Sequence, residues 1–270
     1  MSRHHDTVSF LSDYGLVDEF VGVVKSVIRT IAPHATVLDV THDLPPHDVR
    51  AGSLALVRSV QYLAPGVVLA VVDPGVGTER RAVAVEVADG EAVFVGPDNG
   101  LLASAVSMVG GATRAVELTN PEYHLPAPGP TFAGRDIFGP VAAHLCNGVD
   151  LTELGPLVDP ITLRPGVLPI PREENGVVHA EVLWVDRFGN LQLNVAPEEI
   201  DRLGERVALR WGADQVRTAR RAVAYGDLKP GEVGLVVDSY GLVSIALDRL
   251  SASDQLRIRP GDGVSLAEPA

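Results

Sequence analysis

The residues best placed to do chemistry cluster where short apolar runs end. Ser12-Asp13-Tyr14-Gly15, Thr41-His42-Asp43 and Asp73-Pro74-Gly75-Val76-Gly77-Thr78-Glu79-Arg80-Arg81 each follow such a run. If those runs are strands of an open α/β sheet, the segments fall beyond their carboxyl ends, where such sheets bind ligands. The last segment carries an aspartate, Asp73, and an arginine, Arg80, seven positions apart on one loop. A guanidinium beside a carboxylate keeps it ionised and can fix a water between them. A plain structural ion pair fits the same spacing, and Arg81 is an adjacent candidate for Arg80's place. Asp13 alone is equally compatible with a helix cap or a turn. The glycines of the loop resemble a phosphate cradle only weakly, because no Lys-Ser/Thr pair ends it.

Two later segments add groups of other kinds. Pro130-Thr131-Phe132-Ala133-Gly134-Arg135-Asp136 precedes a helical pattern, and Asp136 suits the first turn of a helix. Asp186-Arg187-Phe188-Gly189-Asn190 offers a carboxylate, a stacking face and an amide within one turn. Those groups hold an ammonium, a purine ring and its exocyclic amine, although an ordinary β-turn uses Asp and Gly in the same way. Histidines 34, 42, 47, 124, 144 and 179 have no ligand spacing, and no His-Glu-x-x-His, paired cysteines or Gly-x-Ser-x-Gly occurs. Zinc hydrolysis and acyl-serine chemistry are therefore poorly supported, and no metal or other cofactor is expected.

Elements that alternate in period must position these segments. Apolar residues predict strands over 7–12, 36–41, 67–72, 82–87, 92–95 and 113–118. Helical spacing predicts helices from about 18 to 32 and over 49–63, 99–109 and 137–146. The fully apolar run Val67–Val72 suits a strand covered on both faces. This alternation predicts a largely parallel, Rossmann-like α/β domain over residues 1–160. Prolines 156, 160, 165, 169 and 171 predict a stiff linker over 161–175. Short strands at 177–185, 206–211, 216–223, 233–237 and 242–247, with one helical stretch at 197–203, predict a compact antiparallel β-barrel or sandwich domain over 176–270. No internal repeat is evident.

The length of 270 residues allows one or two domains with cores that need no staples. The formal charge of −13 and the lack of any Lys/Arg block argue against binding nucleic acid or other polyanions. A single cysteine, Cys146, excludes an internal disulfide framework. The first ten residues carry His4, His5 and Asp6 without a signal-peptide core, and no apolar run approaches the ~18 residues of a membrane helix. A cytoplasmic protein without membrane contacts is expected.

Taken in order, Phe10-Leu-Ser-Asp-Tyr-Gly, Thr41-His-Asp-Leu-Pro-Pro, Val72-Asp-Pro-Gly-Val-Gly-Thr, Val95-Gly-Pro-Asp-Asn-Gly-Leu, Thr131-Phe-Ala-Gly-Arg-Asp and Val185-Asp-Arg-Phe-Gly-Asn form a specific pattern. The chain resembles the S-adenosylmethionine (SAM) hydroxide adenosyltransferases, adenosine-forming SAM hydrolases of the DUF62 group related to fluorinase and chlorinase. The resemblance implies hydrolysis of SAM to adenosine and L-methionine by a water that Asp73 and Arg80 hold. It implies Asp13 on the ribose hydroxyls, with Phe132 and Gly134 lining the ribose and reaction centre. It implies Asp186 on the methionine ammonium, Phe188 and Asn190 on adenine, and Tyr225 as a further stacking residue. Ser239, in the segment that continues to Tyr240, matches the stretch for the methionine carboxylate, and the Ala246 region the stretch facing adenine. It further implies a barrel, not a sandwich, for the second domain, and a homotrimer with active sites at subunit interfaces. The family pattern carries His where this chain has Ala133, so the expectation is retained binding with slowed turnover. A SAM- or adenosine-binding protein without turnover and a halide-using 5′-halo-adenosine synthase are the alternatives; Asp73 would repel a halide.

Overall fold

The first strand, β1 (Thr7–Ser12), is buried over nearly its whole length, and its alternate side chains serve two different cores. The computed structural model describes residues 4–269. After β1 come α1 (Phe20–Ile31), β2 (Thr36–Thr41), α2 (Val49–Ser59), β3 (Gly66–Val71), β4 (Ala82–Val87), β5 (Ala92–Pro97), α3 (Ala103–Met108), β6 (Ala112–Glu117), α4 (Gly139–Cys146) and β7 (Leu157–Val158). The sheet order is β2-β1-β3-β5-β4-β6-β7. Pairing is parallel from β2 through β5 and antiparallel from there to β7, so the sheet is mixed, with the parallel half at its β2 end.

Burial on both faces explains the unbroken apolar run of β3. Val67, Leu69 and Val71 pack with Val24 and Ile28 of α1 and Val141 of α4, while Val68, Ala70 and Val72 pack with Leu56 of α2 and Ala105 of α3. Residues of alternating side therefore meet apolar partners in either direction. With both faces covered, the sheet has its polar opportunities at the strand ends, and Asp13 and Asp73 both follow such ends. The helix expected at 99–109 is shorter, starting at Ala103, because Asn99 turns inward and donates from Nδ2 to the Val72 carbonyl at 2.9 Å. The helix expected at 137–146 is preceded by one wide turn, Gly134–Phe138, before α4 begins.

The chain divides into two compact units, 1–167 and 168–270. Much of the proline-rich stretch is bound to the first unit: Leu157–Val158 pairs with β6, and the Arg164 N–H donates to Asp98 Oδ1 at 2.7 Å. The second unit contains β8 (Arg172–Glu174), β9 (Val177–Val185), β10 (Leu191–Leu193), β11 (Arg206–Trp211), β12 (Gln215–Ala222), β13 (Val233–Val237), β14 (Val243–Leu247), α5 (Ala252–Leu256) and β15 (Gly263–Ala267). Strands β10-β14-β13-β12-β11-β15-β9 form a ring that the β9–β10 pairing closes, with β8 added outside β9. The barrel is antiparallel except for the β12–β13 pair, which is parallel. The helical stretch at 197–203 is a tight 3₁₀ segment. Strands β7, β8, β10 and β15 are absent from the sequence reading, the first three because two or three residues are too few for a periodic signal, and β8 falls inside the stretch read as a linker. Among the described residues no helix is long and apolar enough to cross a membrane.

Candidate active site

Asp73 follows β3 and Val72 directly, so the fully buried strand fixes where its carboxylate emerges. Arg80 returns across the loop and grips it from two nitrogens, Nε to Oδ1 at 2.9 Å and a terminal nitrogen to Oδ2. The side chains are only 5% and 12% exposed respectively, and the guanidinium also lies over the Phe138 ring at 5.4 Å. Burial pushes the Asp73 carboxyl above its ordinary range; Arg80 pulls the other way, and the Asp13 charge adds to the rise. The guanidinium lowers the value, as its type requires, but desolvation outweighs it. The outcome is a carboxylate held in place yet more basic than a free aspartate.

Arg81 faces elsewhere. Its Nε donates to Asp98 Oδ2 at 2.9 Å and its other nitrogens reach the Thr162 carbonyl and hydroxyl. The choice between neighbouring arginines is thus settled by geometry: Arg80 belongs to Asp73, and Arg81 ties the proline-rich stretch down.

A cavity of about 720 Å³ opens beside Asp73, and Asp13, Tyr14, Phe132 and Ala133 share its wall. Asp13 accepts the His47 N–H on Oδ2 at 2.8 Å, and its other oxygen takes no bond among the described residues. His47 reaches it from a left-handed backbone, φ 67°, a conformation uncommon outside glycine. Tyr14, Phe20 and Phe132 meet edge-to-face with centroids 5.2–5.9 Å apart, which gives the cavity a rigid aromatic side. Burial, then the charges of Asp13 and Asp73, push the Tyr14 phenol well up, so it stays a neutral hydroxyl.

Gly134 is not in that wall. It is buried beneath the Tyr14 hydroxyl, so closely that any Cβ at 134 would collide with it. Its role is to let the tyrosine approach. Arg80 likewise stands behind Asp73 and not in the lining. Ala133 is in the wall, at the start of the wide turn, and presents only a methyl group. Tyr14, Phe20, Pro46 and His47 are wall residues that sequence reasoning missed. Tyr14 lay inside a quoted motif, but nothing in the sequence signals the backbone of His47.

The remaining expected residues lie on the second unit. Asp186 accepts N–H bonds from Phe188 and Asn190 on Oδ1, at 2.9 and 2.8 Å, and the Asn190 amide on Oδ2 at 2.8 Å. The turn holds Phe188 in solvent, 79% exposed. A second turn has the same build: Asp238 Oδ1 accepts from the N–H groups of Tyr240 and Leu242 at 2.9 and 3.2 Å. Gly189 and Gly241 occupy matching positions with φ of 84° and 80°. The motif Asp-x-aromatic-Gly therefore occurs twice, a four-residue correspondence too short to count as an internal repeat. The two turns join β9 to β10 and β13 to β14; β10 pairs antiparallel with β14, so the turns lie at opposite ends of that short pair, and the Gln192 amide of β10 donates to Asp238 Oδ2 at 2.7 Å. Ser239 and Tyr240 ride on the second turn, and Tyr240 meets Trp184 edge-on at 6.4 Å. Tyr225 begins a neighbouring 3₁₀ turn, its phenol pushed up first by burial and then by the charges of Asp186 and Asp238. Ala246 is buried in β14, and the register Leu191↔Ile245 sets it level with Asn190. Cys146 is buried in the first unit with its thiol pushed up to about 12 by desolvation, unsuited to act as a nucleophile.

The profile of the SAM hydroxide adenosyltransferase N-terminal domain matches residues 8–155, and that of the family's C-terminal domain matches 180–265. The chain belongs to the SAM hydroxide adenosyltransferase family. This SAM hydroxide adenosyltransferase family member is 45% identical over 255 residues to a protein of Salinispora tropica named (R)-S-adenosyl-L-methionine hydrolase, covering 94% of this chain and 95% of that one. A Thermus thermophilus protein of the same name is 41% identical, with 96% and 98% covered. A fluorinase of Actinoplanes is more distant, 26% identical with 97% of each chain covered. A solved structure of an uncharacterised conserved protein from Thermotoga maritima superposes with a TM-score of 0.89 at 36% identity, covering 97% of this chain and all of that one.

Proposed function

We propose that this chain hydrolyses S-adenosyl-L-methionine to adenosine and L-methionine. The carrying observation is the buried Asp73–Arg80 pair at the wall of a cavity that also presents Asp13. A water held by Asp73 attacks C5′ of the substrate. Its oxygen forms the new C–O bond, the C5′–S bond breaks, and the bonding electrons go to sulfur, which leaves as the neutral thioether of methionine. The water's proton passes to Asp73, whose raised basicity suits that task. The sulfonium is its own leaving group, so this reading requires neither a general acid nor a cofactor.

In this reading Asp13 accepts the ribose hydroxyls with the oxygen that His47 leaves open. Phe132 packs on the sugar. On the barrel, Phe188 and Tyr225 stack on adenine, Asn190 and the Ala246 backbone meet its edge, Asp186 attracts the methionine ammonium, and Ser239 with Tyr240 meets its carboxylate. The 26% identity to a fluorinase, against 41–45% to the proteins named hydrolases, supports water over halide, as does the charge of Asp73. The reading includes a homotrimer in the cytoplasm, which light scattering on the purified chain and localisation of a tagged copy test.

The deciding experiment is turnover in ¹⁸O-water with and without chloride. Adenosine labelled at the 5′-hydroxyl, beside stoichiometric methionine, is expected. Accumulation of 5′-chloro-5′-deoxyadenosine would assign a halogenase, and intact SAM after prolonged incubation would assign a binder.

A further inference from the structure

A chain of polar groups runs behind the Asp13 turn, buried at Ser12 and His42 and opening to solvent at Asp39 and Lys25. The Tyr14 N–H donates to Ser12 Oγ at 3.3 Å, and Ser12 Oγ lies 2.8 Å from His42 Nδ1. His42 Nε2 is 3.0 Å from Asp39 Oδ1, and Lys25 donates to Asp39 Oδ2 at 2.9 Å. A carboxylate only accepts, so His42 Nε2 donates to Asp39 Oδ1, and in the neutral ring Nδ1 is left to accept from the Ser12 hydroxyl, which also accepts the Tyr14 N–H.

These are the residue types of a nucleophilic triad, but they cannot act as one. Ser12 is fully buried, and it meets Nδ1 while the carboxylate meets Nε2, the reverse of the triad arrangement. What His42 does control is the turn. Through Ser12 it holds the Tyr14 N–H, and its own carbonyl accepts the Gly15 N–H at 2.8 Å. Asp13 is thus flanked by backbone groups that His42 anchors. The ring is clamped against Phe10 with centroids 4.6 Å apart, so it cannot swing to other partners.

The geometry points to Ser12 and His42 as positioning residues that aim the Asp13 carboxylate at the sugar diol of the substrate and so set the preference for ribose over deoxyribose. This rests on the proposed role of Asp13. Neither side chain touches the substrate; they act through the turn.

The test compares KM and kcat for SAM and for its 2′-deoxy analogue in the full chain. In Ser12→Ala and His42→Gln the link between serine and imidazole is lost. Their KM for SAM should rise about tenfold, the loss of roughly one well-aimed hydrogen bond, while kcat stays within about threefold. Their KM for the deoxy analogue should barely move, so the ribose preference collapses. His42→Asn keeps an acceptor near the Nδ1 position and should restore most of it. A preference that survives in both variants, or a KM that rises equally for the two substrates, overturns the proposal. Should His42→Gln fail to fold by thermal melting, Ser12→Ala decides alone. Asp13→Asn separates the two levels: loss of preference there with none in Ser12→Ala rejects only the relay, and retained preference in Asp13→Asn rejects the role of Asp13 and the relay with it.

Discussion

The two units hold their aspartates in opposite ways. On the barrel, Asp186 takes three hydrogen bonds, all from its own turn, and Asp238 takes four, two from its own turn and one each from Gln192 and Ser244. In the α/β unit, Asp73 is held mainly by the Arg80 guanidinium, with the Gly75 N–H of its own loop as a further donor, and Asp13 by one N–H from His47 across 34 positions. The barrel carboxylates shape their own turns; Asp73 is gripped by an arginine seven positions along its own loop, while Asp13 is placed by a distant residue and keeps one oxygen open for something else. Asp186 can still attract an ammonium, but its first work is to project Phe188 and set the Asn190 amide. A buried carboxylate with few partners is costly, and functional sites accept that cost.

The sharpest way to break this contrast is to neutralise one aspartate of each kind. Asp73→Asn should lower kcat by about 10²–10⁴-fold, the usual worth of a positioned base, with KM for SAM nearly unchanged in steady-state methionine release. Asp238→Asn should instead act on stability, because it weakens a charge-assisted turn, and calorimetry should show a fall of about 1–3 kcal/mol. Equal effects of the two on turnover would erase the distinction.

Ala133 sharpens the comparison from the other side. Ala133 puts a methyl group into the cavity wall beside Asp73, at the position where the resemblance leads one to expect an imidazole. Ala133→His should raise kcat by up to about 10²-fold, a lower-end figure for general acid–base assistance. An unchanged rate in stopped assays would mean that the position takes no part in catalysis here.

The strand-end aspartates were legible in the sequence, because a buried strand advertises itself as an apolar run and the residue after it must face outward. The Asp73–Arg80 pairing was legible as spacing alone. The identity of the partnering arginine was not, since Arg80 and Arg81 differ only by which way successive residues point, and the fate of Arg81 depends on Asp98 and Thr162, which are distant in sequence. The barrel was legible as a class from its short strands, but not its closure. Closure depends on β10 and β15, and on a parallel β12–β13 step that no hairpin signal announces. His47 was unreadable for a different reason: its left-handed backbone is imposed by context and not by residue type.

A smaller effect compares the adjacent arginines. Arg80→Met should reduce kcat about tenfold, in line with loss of one charge-assisted orienting contact. Arg81→Met should leave kcat within about threefold while lowering the melting temperature by about 2–4 °C for each kcal/mol lost.

The smallest effect is in pH, and its sign follows from burial. The folded protein raises the Asp73 carboxyl above its ordinary value. The reaction needs the ionised form, so kcat/KM should fall on acidification with a midpoint above the normal aspartate range. In Arg80→Met the opposing cation is gone and the midpoint should move to still higher pH. For stability, a carboxyl raised on folding favours the native state at low pH, and that contribution is lost as pH rises through the folded value. The melting temperature of Asp73→Asn, measured against the parent, should therefore improve with increasing pH across that window. A difference that stays flat, together with an acid limb that Arg80→Met does not shift, would mean that Asp73 is an ordinary ion-paired carboxylate, no different in kind from those on the barrel.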